Sequence, residues 1–119
     1  MFQEKGSVND NLEAVVSIQL VNQSKISCLL DTGFNGTLFL PRKFVEENSL
    51  SFGVREVLQA AEDQIFEVDT ATAEIDWLGS QSSVTIFVSE ANEALIGAEM
   101  FADALLEIDY KNRTVKITK

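Results

Sequence analysis

The chain has 119 residues, 45% of them apolar, with nine Lys or Arg against nineteen Asp or Glu for a formal charge of −10. That length carries one domain with a real core, and the apolar content together with a single proline excludes an intrinsically disordered chain. The acidity argues against nucleic acid or an anionic membrane as a partner, because both require clustered positive charge.

Residues 1–11, MFQEKGSVNDN, are polar and aperiodic and read as a flexible arm, leaving a single domain over 12–119. From there Ala14, Val16, Ile18 and Leu20 alternate with other residues at the period of a half-buried strand. Asn22-Gln23-Ser24 offers turn chemistry, and Ile26, Cys28 and Leu30 line the inner face of a second strand, so a hairpin delivers Asp31 at its end. Thr37 to Leu40 is a short apolar strand. Pro41 suits the first turn of a helix running through Phe44 and Val45 to near Asn48.

Phe52, Val54 and Leu58 mark a further strand and Ile65 to Leu78 a long one, with Ala61-Glu62-Asp63-Gln64 as the hairpin tip between them. Within the long segment the apolar parity slips, from Phe66 and Val68 to Ala71, Ala73, Ile75 and Trp77, which predicts a bulge or a bend between two sheets. Phe66 and Trp77 read as core or groove lining. Gly79-Ser80 turns the chain into a strand carrying Val84, Ile86 and Val88. Ala94-Leu95-Ile96 is a short buried strand ending at Gly97, followed by one or two helical turns over Ala98 to Asp103. Leu106, Ile108 and Tyr110 alternate, Lys111-Asn112-Arg113 turns, and Val115 and Ile117 close the chain. The whole reads as all-β, a closed or nearly closed barrel of short antiparallel strands with a helix after Pro41 and a brief one after Gly97.

The missing residue types narrow the chemistry. With no histidine there is no His-based triad, no Cys–His pair and no common zinc site. The one cysteine, Cys28, lies on an inner strand face as a small core residue and forms no internal disulfide, which suits a reducing cytoplasm. No apolar run is long enough to span a bilayer, and nothing at the start has the form of a secretory signal. The carboxylates show no calcium-loop spacing, so no metal or organic cofactor is expected. What stands out is Asp31, a lone carboxylate in the apolar stretch LLDTGFNGTLFLP. Burying it is costly unless a partner compensates. The bland reading of Asp31-Thr32-Gly33 is an Asx-turn with Gly33 at positive φ.

Asp-Thr-Gly after a strand, with Gly36 and a short apolar strand behind it, pairs with a distant second element, ALIGAEMFADALLEIDYKNRTVKI. Together they make the sequence resemble the retroviral-type (retropepsin-like) single-domain aspartic proteases, especially their bacterial and archaeal members, over about residues 13–118. The resemblance implies that Asp31 is the catalytic aspartate and that Thr32 and Gly33 complete its loop, the Thr32 hydroxyl bracing the equivalent loop of a second subunit. It implies that Leu95, Ile96 and Gly97 support that loop from beneath. The hairpin tip Ala61, Glu62, Asp63 and Gln64 falls where the family places its substrate-covering flap. This tip has no glycine and two negative charges, which disfavours acidic substrates. Ala98 stands where many viral members carry a charged residue that ties the dimer together. For the interface, Val115 and Ile117 are better candidates than the polar arm.

Chemistry leads to the same arrangement. Peptide hydrolysis by carboxylates alone needs one group to take a proton from water and another to give one to the carbonyl oxygen. Two aspartates within hydrogen-bond reach cannot both ionise, so they share a proton and titrate as a pair. One Asp31 cannot fill both roles, and a two-fold axis supplies the second copy. The only near match in the chain, Asp69-Thr70-Ala71, lacks the glycine and reads as a solvated strand residue. The expected function is therefore a homodimeric aspartic endopeptidase acting on peptides with apolar side chains near the cut. The alternative is a peptide-binding or scaffold domain of the same fold without turnover.

Overall fold

The computed structural model describes residues 1–59 and 61–119, and of Ala61 the backbone alone. Strands make up 56% of the chain, and six of them close into a barrel. In chain order the strands are β1 Gln3–Val8, β2 Ala14–Leu20, β3 Lys25–Asp31, β4 Leu38–Pro41, β5 Ser51–Phe52, β6 Glu56–Gln59, β7 Ile65–Val68, β8 Thr70–Trp77, β9 Ser80–Ser89, β10 Ala94–Gly97, β11 Leu105–Asp109 and β12 Thr114–Thr118. Helix α1, Arg42–Glu47, follows Pro41, and a single 3-10 turn, Ala98–Phe101, follows Gly97. Among the described residues no helix is long and apolar enough to cross a membrane.

The main sheet runs β11-β12-β1-β2-β3-β10-β4-β9-β8-β5, and a further pairing of β2 with β8 closes β2-β3-β10-β4-β9-β8 into the barrel. Its interior is filled by Ile18, Leu38, Leu40, Ile75, Ile86 and Ile96, each essentially without solvent exposure. Four of the six are β-branched isoleucines on strands, where a stiff branched side chain packs well on a pleated surface. The alternation in β2 is realised as expected, with Ala14, Val16, Ile18 and Leu20 all buried. Trp77 joins the core and donates its indole N–H to the Met100 carbonyl at 3.0 Å, which fastens β8 to the turn after Gly97.

The predicted parity slip is a break. Asp69 separates β7, which pairs only with β6, from β8, which belongs to the barrel. The expected strand through Phe52, Val54 and Leu58 is likewise split into β5 and β6, because each half pairs in a different sheet. At Leu78-Gly79 both residues have positive φ, the two-residue turn whose twist suits adjoining antiparallel strands.

Three expectations are corrected. Residues 3–8 are not a loose arm: they form β1, hydrogen-bonded to β12 on one side and β2 on the other. Backbone pairing makes this strand rather than an apolar pattern. Its inward positions are Glu4, Gly6 and Val8, where Glu4 accepts the Leu78 N–H at 2.9 Å and Gly6 approaches the Val15 carbonyl so closely that no Cβ fits. The barrel is not purely antiparallel, since β10 runs parallel to β3 and β4 runs parallel to β9. Val115 and Ile117 are 2% and 0% exposed inside their own chain, so they offer no surface to a second one.

Candidate active site

The β2–β3 hairpin delivers Asp31 to the rim of the barrel. Its parallel neighbour β10 sets the register, with Leu95 beside Leu29, Ile96 beside Leu30 and Gly97 beside Asp31. The two elements singled out in the sequence, more than sixty residues apart, therefore meet side by side. Beyond Asp31 the chain folds back on itself: the Asp31 Oδ1 accepts the Gly33 N–H at 3.0 Å and the Asp31 carbonyl accepts the Phe34 N–H at 3.1 Å. Asp31 is half-buried, whereas Thr32 and Gly33 are exposed.

Three backbone N–H groups hold this loop from below. Gly97 donates to the Thr37 carbonyl at 2.7 Å, Ala98 to the Phe34 carbonyl at 2.8 Å and Glu99 to the Gly36 carbonyl at 3.2 Å. Gly97 has to be glycine for lack of room. A Cβ there would press on the Gly36 carbonyl oxygen, would lie 2.6 Å from the Phe34 ring and would lie 2.8 Å from the Phe34 carbonyl oxygen. The expected Asx-turn is present in the bond from the Gly33 N–H to Asp31 Oδ1, but Gly33 does not take the positive φ expected of it. Gly79 is the one glycine with positive φ among the described residues, so Gly33 is not needed for a left-handed backbone. What it leaves open is space beside the carboxylate, since a Cβ on Gly33 would meet only Asp31 Oδ1, at 3.3 Å.

Two clefts border the loop. Asp31 and Thr32 face one of about 380 Å³, walled by Leu12, Leu29, Leu95, Ile108 and Tyr110. Gly33 to Gly36 line a second of about 550 Å³ with Phe39, Leu58, Gln59, Phe66 and Phe87. The β6–β7 hairpin borders this second cleft. Among the described side chains, its lining comes from Leu58, Gln59 and Phe66, not from the tip residues Glu62, Asp63 and Gln64, which point to solvent. The tip turns tightly, with Glu62 and Asp63 both at positive φ.

The sequence reading missed two features. One is the aromatic floor of Phe34, Phe39 and Phe87, whose ring centroids stand 4.9, 5.2 and 5.9 Å apart. Its signal was present in Leu38-Phe39-Leu40, where strand alternation turns Phe39 away from the core that takes both leucines. The other is Asp69, which is not simply solvated. Arg42 donates to it at 2.6 Å and Arg55 approaches at 3.0 Å, while Arg42 also binds Glu90 at 2.7 Å and Arg55 binds Glu67 at 3.5 Å. Hydrogen bonding from Arg42, reinforced by the Arg55 charge, holds the Asp69 carboxyl below the usual carboxylate range, and Arg42 does the same to Glu90. Because Arg55 and Asp69 flank the two strands of the hairpin, this chain of ions ties both of its legs to α1. Sequence periodicity carries no signal for it, since its members come from four separated segments.

Cys28 is fully buried, and burial pushes its thiol up to about 12, which removes it as a nucleophile near neutral pH. Asp31, in contrast to Asp69, has no ion-pair partner among the described residues.

This fold is that of the retropepsin-like aspartic proteases. A retropepsin-like aspartic protease from Rickettsia conorii superimposes with a TM-score of 0.66 at 14% identity, covering 97% of this chain and 89% of that one. The EIAV protease complexed with the inhibitor HBY-793 superimposes with a TM-score of 0.60 at 16% identity, covering 80% of this chain and 90% of that one. No family model and no curated protein matches the sequence.

Proposed function

We propose that the chain is an aspartic endopeptidase that works as a homodimer, with two Asp31 carboxylates sharing one proton across a two-fold axis. The observation that carries this reading is the setting of Asp31. Its carboxylate has no cation beside it, is steadied by the Gly33 N–H, and stands on a loop locked to β10 at the mouth of a cleft. One aspartate takes a proton from water as that water attacks the scissile carbonyl; the other protonates the carbonyl oxygen. The reverse transfer to the leaving nitrogen completes hydrolysis and restores the shared proton. Thr32, exposed next to Asp31, braces the loop of the second subunit.

The cleft beside the β6–β7 hairpin supports a peptide substrate with a large apolar side chain, received by Phe34, Phe39, Phe66 and Phe87. Glu62 and Asp63 on the flap tip disfavour acidic peptides. A cytoplasmic setting belongs to this reading through the single buried thiol, which asks for no oxidising compartment. The test is a peptide library incubated with wild type and Asp31→Asn between about pH 4 and 7, near and above the ordinary carboxylate range, and read by mass spectrometry. Cuts made by wild type and absent with a folded Asp31→Asn support the protease. Equal cutting by both, or none by a dimeric wild type, refutes it in favour of a silent peptide-binding domain.

A further inference from the structure

The phenylalanine-lined cleft of about 550 Å³ does not end at its own walls. Phe39 and Phe66 also wall a neighbouring hollow of about 450 Å³, so the two lie side by side along one groove. The bottom of this second hollow holds the buried Val68 and Val88, and its rim is charged, with Arg42, Arg55, Glu67, Asp69 and Glu90. A peptide in extended form turns alternate side chains to the same face, about 6.6 Å apart. A side chain two residues away from one seated among the phenylalanines is therefore directed to the charged hollow.

The rim has more negative charge than its own ion pairs use. Arg42 reaches Asp69 at 2.6 Å and Glu90 at 2.7 Å, and Arg55 reaches Asp69 at 3.0 Å and Glu67 at 3.5 Å. Joining the β6–β7 hairpin to α1 takes only the middle of that chain, Arg42–Asp69–Arg55. Glu67 and Glu90 stand outside it, 62% and 73% exposed, and they leave three carboxylates against two guanidinium groups. Hydrogen bonding from Arg42 holds Asp69 and Glu90 below the usual carboxylate range, so both are anions at neutral pH. The next hollow along, which Phe39 and Ser89 also wall, adds Glu93 and no cation. An apolar bottom under an acidic rim suits a side chain with an aliphatic stem and a cationic end. A carboxylate placed there would add to a surplus of its own sign.

We infer that the charged hollow is a specificity site, in which a lysine or arginine two residues from the large apolar residue of a peptide lays its stem on Val68 and Val88 and its cation against Glu67 and Glu90. This rests on the protease reading for its peptide, and it narrows the substrate to basic segments, the charge complement of a chain at −10.

The test uses matched peptides with one phenylalanine and with Lys, Gln or Glu two residues to either side. Wild type is read as kcat/KM by mass spectrometry. Wild type and Asp31→Asn, which leaves this hollow untouched, are both read as Kd by fluorescence anisotropy. Lys is expected to be preferred over Gln by roughly fivefold and over Glu by roughly tenfold or more, the scale of a few partly exposed ion pairs. The preference should shrink in about 1 M salt, where charges are screened within about 3 Å. Glu67→Lys should bring the Lys and Glu peptides to near equality. Glu47→Lys makes the same change in net charge at an exposed position on α1 that lines neither hollow, and should leave the preference standing. If Glu67→Lys fails to fold by circular dichroism, Glu67→Gln reads the same contact with a fall of roughly threefold. Equal treatment of the three peptides, or a preference that Glu47→Lys lowers as much as Glu67→Lys does, overturns the inference. Cleavage without preference would keep the protease and discard the site. Preferential binding of the Lys peptide with no cleavage would keep the site and discard the protease, and peptides neither bound nor cut would discard both.

Discussion

Replacing Gly97 by alanine tests whether the loop carrying Asp31 is locked from beneath. The backbone at Gly97 has φ −96° and ψ 172°, which alanine adopts without strain, so any cost comes from contact. The new methyl would meet two backbone carbonyls and the Phe34 ring, the Phe34 oxygen at 2.8 Å where ordinary contact begins near 3.4 Å. Carbonyls held in hydrogen bonds do not swing away as a side-chain end does. Overpacking of this kind costs about 1–3 kcal/mol. Retreat of the loop also weakens the bonds from Gly97, Ala98 and Glu99, each worth about 1 kcal/mol. A total near 3 kcal/mol corresponds to a melting temperature lowered by roughly 12 °C in a domain of this size. Thermal melts followed by circular dichroism, with urea titrations at fixed temperature, measure it. A Gly97→Ala protein melting within about 3 °C of wild type would show that the loop is not clamped, and the geometric account of Asp31 would fail with it.

Gly33→Ala should behave in the opposite way, keeping the melting temperature within about 3 °C of wild type while lowering peptide cleavage, because its methyl touches only the Asp31 carboxylate. Asp69→Asn should loosen the β6–β7 hairpin without unfolding the barrel, read as faster amide hydrogen exchange in residues 56–59 and 65–68; unchanged exchange there would show that the ion chain does not hold the hairpin. The folded-state pKa values of Asp69 and Glu90 are lowered, so their contribution to stability is present above the unfolded carboxylate value of about 4 and is lost as pH falls below it. Acid should therefore lower the melting temperature more steeply in wild type than in Asp69→Asn. For Cys28 the shift is upward, to about 12, so its contribution is complete below the ordinary thiol value and fades as pH rises from there. Native protein at pH 8 should resist iodoacetamide and react fully once unfolded in urea.

The sequence made some of this legible because some forces leave a periodic trace. Alternation exposed β2, β3 and β9, since each has one face in the core, and the parity slip near Asp69 exposed the change of sheet because a strand cannot move its apolar face without one. The pairing of Asp31 with Gly97 was visible only through resemblance, as parallel pairing between distant strands leaves no local mark. β1 was illegible for a related reason. It sits between two strands and is held by backbone bonds, so its inward positions tolerate Glu4 and Gly6 and the alternation never appears. The chain of ions from Glu90 through Arg42 and Asp69 to Arg55 joins residues whose separations obey no period.

The two Asp-Thr dipeptides of this chain show what decides the role of a carboxylate. Asp31 and Asp69 both sit where a strand ends, and both are followed by threonine. Asp69 lies between two guanidinium groups, and hydrogen bonding from Arg42 holds its carboxyl below the usual carboxylate range. A carboxylate fixed in that way neither gives nor takes a proton at the pH of a working enzyme, so it serves as an anchor. Thr70 turns inward there, 3% exposed, and donates its hydroxyl to the Val54 carbonyl at 2.6 Å, which closes the base of the β6–β7 hairpin. At Asp31 the glycine that follows leaves room beside the carboxylate, no cation is near, and Thr32 points outward. The same two residue types thus make a structural clamp in one place. In the other they leave a carboxylate and a hydroxyl facing an open cleft.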